Sequence, residues 1–283
     1  MSLSIRRFLP IIALALPIAD ARAAPGAGKA AANEHVRIEL IGEKTALVPS
    51  NTTWLGLHLL HEPHWHTYWI NPGDSGLPTR LSWTLPAGFN AGEIAWPTPK
   101  RFAVDGLANF GYDGDVLLPM SLDVPADAVP GSIAHIAVVA KWLVCHEECV
   151  PGSATLSIDL PIATHADPGP LAASFAAARS VQPENGVWKA QARVVGNAIE
   201  VEVRGADLGD GHGLDAFVEQ PKLVANSPPG FSLRGAVPVL TFAKSEYFDA
   251  APAALDLVVT RAGAHAIRVH ARLVASDSNS ASP

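Results

Sequence analysis

The chain has 283 residues, 48% hydrophobic and 17% charged, enough apolar material for one large β domain or two smaller ones and too much for a chain disordered throughout. Its formal net charge is −7 and it holds no basic run, which excludes nucleic acid and anionic membrane surfaces as electrostatic partners. No nucleophile elbow, zinc-protease motif, P-loop or dinucleotide fingerprint occurs in it.

Residues 1–23 read as a secretory signal. Arg6 and Arg7 form a basic start, Phe8 to Ala19 an apolar run, and Ala21-Arg22-Ala23 a small-x-small cleavage site. That run is too short to span a bilayer comfortably. The mature chain is expected to be exported and soluble, where disulfides are chemically allowed. Residues 24–33, rich in Ala and Gly, are expected to form a flexible lead-in.

A first module is expected over 34–163. Its strand-like segments are HVRIELIGE (35–43), TTWLGLHLLH (52–61), HWHTYWIN (64–71), TRLSWTLP (79–86), VLLPMSLDVP (116–125), IAHIAVVAKWLVC (133–145) and TLSIDLPI (155–162). In the first of these, Val36, Ile38 and Leu40 share one face and His35, Arg37 and Glu39 the other. His58, His64 and His66 have the same parity, and a His-x-His pair on one strand face suits copper or zinc. Ordinary sandwich packing explains the neighbouring Trp65, Tyr68 and Trp69 equally well. No metal or other cofactor is expected; His64 and His66 are the residues that would hold one.

Two cysteines, Cys145 and Cys149, are the only ones in the chain. Three residues separate them, with strand-like sequence on both sides. A hairpin there places them opposite each other, within the ~4.4–6.8 Å Cα separation that a disulfide needs. The closed loop is so small that chain entropy gives the bond only about 2 kcal/mol. Such a bond opens at little expense to the fold. Spacing alone leaves three readings: a plain hairpin staple, a redox-active pair, and a zinc or copper site.

Residues 164–186 change character. Asp167-Pro168-Gly169-Pro170 breaks structure, and the Ala-rich LAASFAAARS (171–180) reads as a helix ended by Pro183. This is a short helical connector. A second β module without cysteine follows over 187–275, with strands at 187–195, 198–205, 214–220, 230–235, 237–244, 255–263 and 265–274. The tail 276–283 is expected to be disordered. The expected fold class is thus all-β: two immunoglobulin-like β-sandwich modules joined by a short helical connector.

Four stretches carry a family resemblance: HWHTYWINPGDSGLPTRLSW, WPTPKRF, NFGYDGDVLLP and WLVCHEECVPGSATLSIDLP, in that order. Together they resemble the amino-terminal periplasmic domain of the DsbD thiol:disulfide interchange family, closest to its ScsB branch. LDAFVEQP in the second module resembles the extra sandwich of that branch. The resemblance implies an immunoglobulin-like fold in the periplasm whose cysteine pair, here Cys145 and Cys149, cycles between dithiol and disulfide. It implies two partners: a membrane-embedded thiol:disulfide donor and a periplasmic thioredoxin-fold client. Family members usually continue into a membrane domain and a thioredoxin-like domain; neither occurs in these residues, so the expected donor is a separate protein. It also implies a cap over the disulfide, with Phe110 and Tyr112 of Phe110-Gly111-Tyr112 as its counterpart. The competing readings are a secreted structural or binding sandwich with an inert disulfide, and a periplasmic copper-binding protein.

The residues between the cysteines set the expected reactivity. Glu147 and Glu148 disfavour a thiolate beside them, and His146, when protonated, opposes them. The pair is therefore a poor spontaneous nucleophile, as suits a carrier that reacts only in a docked complex. Changing Glu147→Gln and Glu148→Gln together should make the reduced pair react faster with a small disulfide reagent; an unchanged rate would count against this electrostatic account.

Overall fold

The computed structural model describes residues 28, 31–32, 35–186, 188–205 and 208–274. The expected signal at 1–23 and tail at 276–283 lie outside the described residues. Among the described residues no helix is long and apolar enough to cross a membrane. The described residues form an all-β architecture with one helix.

The first module holds two sheets. One contains β1 (Ala31–Ala32), β2 (Val36–Gly42), β3 (Thr52–His61), β9 (Asp115–Asp123) and β6 (Asn90–Ala91), in the order β1-β2-β3-β9-β6. The lead-in thus contributes a strand, Ala31 pairing with Ile38. The other sheet runs β11 (Cys149–Pro161), β10 (Ile133–Cys145), β4 (His66–Gly73), β8 (Leu107–Asp113), β7 (Lys100–Val104), with β5 (Arg80–Thr84) also on β10. Alternate residues of both sheets meet in one core. Val36, Ile38, Leu40, Leu57 and Leu118 come from the first sheet, and Trp69, Ile136, Val138 and Leu156 from the second. The alternation expected of β2 is present: Val36, Ile38 and Leu40 are buried.

Two local expectations change. The stretch that holds Phe110-Gly111-Tyr112, not among the expected strands, is strand β8, paired with β7 and β4. Gly111 is what permits this: a Cβ there would lie 1.9 Å from the Thr67 carbonyl oxygen, so the backbones approach too closely for any other residue. Strand β11 also begins earlier than expected, at Cys149, and runs through Pro151-Gly152. Pro is tolerated because β11 is an edge strand, and Gly152 leaves room for the Trp142 ring opposite it.

Helix α1 (Ala172–Ser180) forms where Ala-rich sequence predicted it. It does not hang free. Phe175 and Ala178 pack on Ile41 and Leu117, and Arg179 donates to Glu43 at 2.7 Å.

The second module is a single eight-stranded sheet: β12 (Glu184–Asn185), β13 (Lys189–Val195), β14 (Ala198–Arg204), β15 (Leu214–Val218), β16 (Gly230–Arg234), β17 (Val237–Ala243), β18 (Ala254–Arg261) and β19 (Ile267–Leu273). β13, β14, β15, β17, β18 and β19 all send alternate residues into one core, among them Val201, Val218, Leu240, Leu257 and Val269, so the sheet curls around it.

The two modules share apolar packing. Phe217 on β15 belongs to the core cluster of the first module, with its ring edge-on to Phe110 and Trp69 at 5.1 and 6.2 Å. Asn71 donates to the Val218 carbonyl at 2.7 Å, and Asn226 to Asp74 at 2.9 Å. A core that crosses a module boundary couples the unfolding of the two halves. Wild-type protein should therefore unfold in one calorimetric transition. Phe217→Ala should lower stability by about 3–5 kcal/mol, the usual cost of emptying a large aromatic site, and split that transition in two.

Candidate functional site

The β10–β11 hairpin places the sulfurs. Its ladder runs without slip from Ile133 opposite Pro161 to Cys145 opposite Cys149. Side chains of opposed residues leave the sheet on the same side, so the last pair in the ladder must meet. They form a disulfide with Cα atoms 4.2 Å apart. His146, Glu147 and Glu148 make the loop, closed by a hydrogen bond from the His146 amide to the Glu148 carbonyl at 3.0 Å.

The two halves of the bond differ. Cys145 is 2% exposed and lies inside the sheet, with His66 of β4 as its partner on the far side. Cys149 begins the edge strand β11 and is exposed. A reagent from solution meets Cys149, and Cys145 is the sheltered leaving group.

Aromatic side chains build the wall beside it. The Tyr68 hydroxyl donates to the Cys149 Sγ at 3.8 Å, a long contact suited to sulfur. Its ring rests on Gly76, where φ is +92° and a Cβ would lie 2.2 Å from the ring. The turn Asn71-Pro72-Gly73-Asp74-Ser75-Gly76 thus shapes this wall, although its sequence shows only a tight turn. Burial raises the Tyr68 phenol above its ordinary pKa, and a hydrogen bond with Ser75 opposes this. Tyr68 therefore stays a neutral donor. Next to it, His66 stands edge-on to Tyr68 at 5.2 Å and stacks on Phe102 of β7 at 4.5 Å and 11°. His66 Nε2 is buried without a hydrogen-bond partner. Burial is the main reason the His66 pKa falls to about 4; His61 and His146 push it the same way, and Asp113 opposes them. His66 is neutral at physiological pH.

The expected site residues fall into three places. Cys145, Cys149, His146, Glu147 and Glu148 come together at the hairpin mouth, the last three exposed. Phe110 and Tyr112, expected above the disulfide, lie on the opposite face of the sheet. Register puts Tyr112 opposite Thr67 and Gly111 opposite Tyr68, so Phe110 and Tyr112 point away from the Tyr68 side. Both are buried; Phe110 packs on Phe217, and Tyr112 stacks on Trp96 and donates to the Pro97 carbonyl at 2.7 Å. Among the described residues the aromatic in contact with sulfur is Tyr68, and Phe102 of β7 stacks on the neighbouring His66. The two metal candidates do not share a strand face. His64 precedes β4 with φ at +73°, is exposed, and its ring lies 5.7 Å from that of His146. His66 is enclosed by Phe102 and Tyr68. Among the described residues no group of three or more His, Cys, Asp or Glu side chains is placed to hold a metal ion.

This geometry has counterparts in known proteins. Residues 38–161 match the family model for the N-terminal domain of thiol:disulfide interchange protein DsbD. The structure superposes on the N-terminal periplasmic domain of ScsB from Proteus mirabilis with a TM-score of 0.67 and 20% sequence identity, covering 89% of this chain and 99% of that one. Both modules thus have that protein's fold. The sporulation control protein Spo0M from Bacillus subtilis overlaps 85% of this chain and 91% of its own at 11% identity, with a TM-score of 0.25. No curated protein sequence matches the chain.

Burial of His66 has a consequence for acid stability. An unfolded histidine binds a proton near pH 6.5, whereas folded His66 binds one only near pH 4. The unfolded state is the better proton binder between those values. The stabilisation is complete above pH 6.5 and is lost as pH falls toward 4, by up to about 3 kcal/mol. His66→Phe keeps the stack on Phe102 and removes the titration. Urea denaturation at pH 7 and pH 4.5 should show wild-type protein losing about 2–3 kcal/mol more than the variant over that interval.

Proposed function

We propose, from the membership of residues 38–161 in the DsbD N-terminal domain family, that the chain is a periplasmic electron-relay module. On this reading it takes reducing equivalents from a membrane-embedded donor and passes them to a thioredoxin-fold client through Cys145 and Cys149. The observation that carries the reading is the asymmetry of the bond: one cysteine exposed at a sheet edge, its partner buried, in a loop too small to matter for folding.

The chemistry is two rounds of thiolate exchange. A donor thiolate attacks Cys149 Sγ, forming a donor–Cys149 mixed disulfide and expelling the Cys145 sulfur with the electron pair of the broken bond. Burial disfavours a thiolate at Cys145, so that sulfur takes up a proton. A second donor thiol then attacks the donor sulfur of the mixed disulfide and frees Cys149. The donor leaves as a disulfide and the pair holds two electrons and two protons. In the second round Cys149 attacks the client disulfide. Cys145 resolves that mixed disulfide and the client leaves as a dithiol. Tyr68, neutral and at the Cys149 sulfur, donates a hydrogen bond to the charge that forms there.

Three measurements test this. The reduction potential should lie above the roughly −300 mV below which structural disulfides fall. Reduction should cost about 2 kcal/mol or less, so the fold should survive it. Cys145→Ala should trap a mixed disulfide with a thioredoxin-fold client through Cys149, and Cys149→Ala should trap far less. A bond that resists a physiological dithiol, or a protein that melts when it opens, would leave an inert staple instead.

A further inference from the structure

We propose that the second module controls how open the disulfide is by gripping strand β7, with Arg101 as the positioning residue. This rests on the exchange role given above to Cys145 and Cys149. Strand β7 lies at the edge of its sheet and among the described residues is paired only with β8. An edge strand is the part of a sheet most easily detached. Its successive side chains point to opposite faces, so Arg101 and Phe102 face different ways.

On one face, Arg101 is held by the second module. Its Nε and Nη2 donate to the two Asp215 carboxylate oxygens at 2.9 and 2.6 Å, and Nη1 donates to the Asn226 carbonyl. The guanidinium also lies 4.7 Å from the Phe110 ring and 5.1 Å from the Phe217 ring. Both partners of the ion pair are largely sheltered from water. A two-point fork between aromatic rings is the geometry in which arginine binds well and lysine does not. The other ion pair on β7, Lys100 with Asp113, is exposed and holds the strand weakly.

On the opposite face, Phe102 lies flat on His66. His66 is the ladder partner of Cys145 and touches Tyr68, which contacts the Cys149 sulfur. A continuous path therefore runs from Asp215 to the Arg101 side chain, along the β7 backbone to Phe102, and on through His66 and Tyr68 to the disulfide. With Arg101 gripped, β7 keeps Phe102 in place and the aromatic wall is closed. With the grip released, the edge strand loosens and the wall opens.

The test uses the full oxidised chain and dithiothreitol, which closes to its cyclic disulfide while the pair becomes two thiols. Arg101→Gln and Asp215→Asn should each raise the rate of reduction about three- to tenfold, and Arg101→Lys should fall in between. Phe102→Ala should raise it as much, and adding Arg101→Gln to Phe102→Ala should raise it no further, because both act on one element. Val201→Ala, inside the second module's own core, should lower the melting temperature without changing the rate. The proposal is overturned if Arg101→Gln and Asp215→Asn reduce at the wild-type rate, or if Val201→Ala speeds reduction as much as they do. No protein partner takes part in this measurement. Absence of a client would sink the relay function and leave these rates as expected.

Discussion

The hydrogen-bonded register between β10 and β11 decides where the chemistry happens. Thirteen opposed residue pairs hold it, from Ile133–Pro161 to Cys145–Cys149. A slip of one residue would turn every side chain of one strand to the other face and send the sulfurs apart. The core prevents that slip, because Ile136, Val138, Leu156 and Ile158 all point into it and none would tolerate water. The disulfide is therefore a product of the ladder and not its support.

The same sheet has two faces with separate duties. The inner face carries Trp69, Phe110 and Tyr112 into packing that continues onto Phe217 of the second module. The outer face carries Tyr68, His66 and Phe102 beside the sulfurs. Because side chains alternate, adjacent residues on one strand serve different neighbours. Residues 110 and 112 of β8 belong to the buried inner face, and residue 102 of β7 to the redox side. Phe110 and Tyr112, expected to cap the disulfide, share the inner side of a strand.

Electrostatics around the bond are quiet. His66 is held neutral by burial, Tyr68 stays a phenol, and the exposed loop carries two glutamates. No cation in contact with the sulfurs promotes a standing thiolate among the contacts of the described residues. Under the proposed relay function, reactivity would be left to whatever covers Cys149.

Much of this was legible from the residues alone. Alternation at 35–40, the paired cysteines inside strand-like sequence, and the Ala-rich run at 171–180 depend on neighbours near in the chain, and each formed as expected. The all-β class and the family match follow from the same local signals. What local sequence could not reveal was how strands distant in the chain come side by side. The need for glycine at 111 comes from the Thr67 carbonyl pressed against it, on a strand distant in the chain. Tyr68 and Phe102 gave no sign of a role, since it is sheet order that brings β4 and β7 beside the hairpin. The partner of Arg101 is Asp215, more than a hundred residues away in the chain, and nothing near Arg101 in sequence points to it. Sequence determined which segments are strands and that Cys145 and Cys149 would face each other at a hairpin mouth. Tertiary structure alone decided which cysteine is exposed and which aromatics guard it, because exposure is a property of what packs on a residue and not of the residue itself.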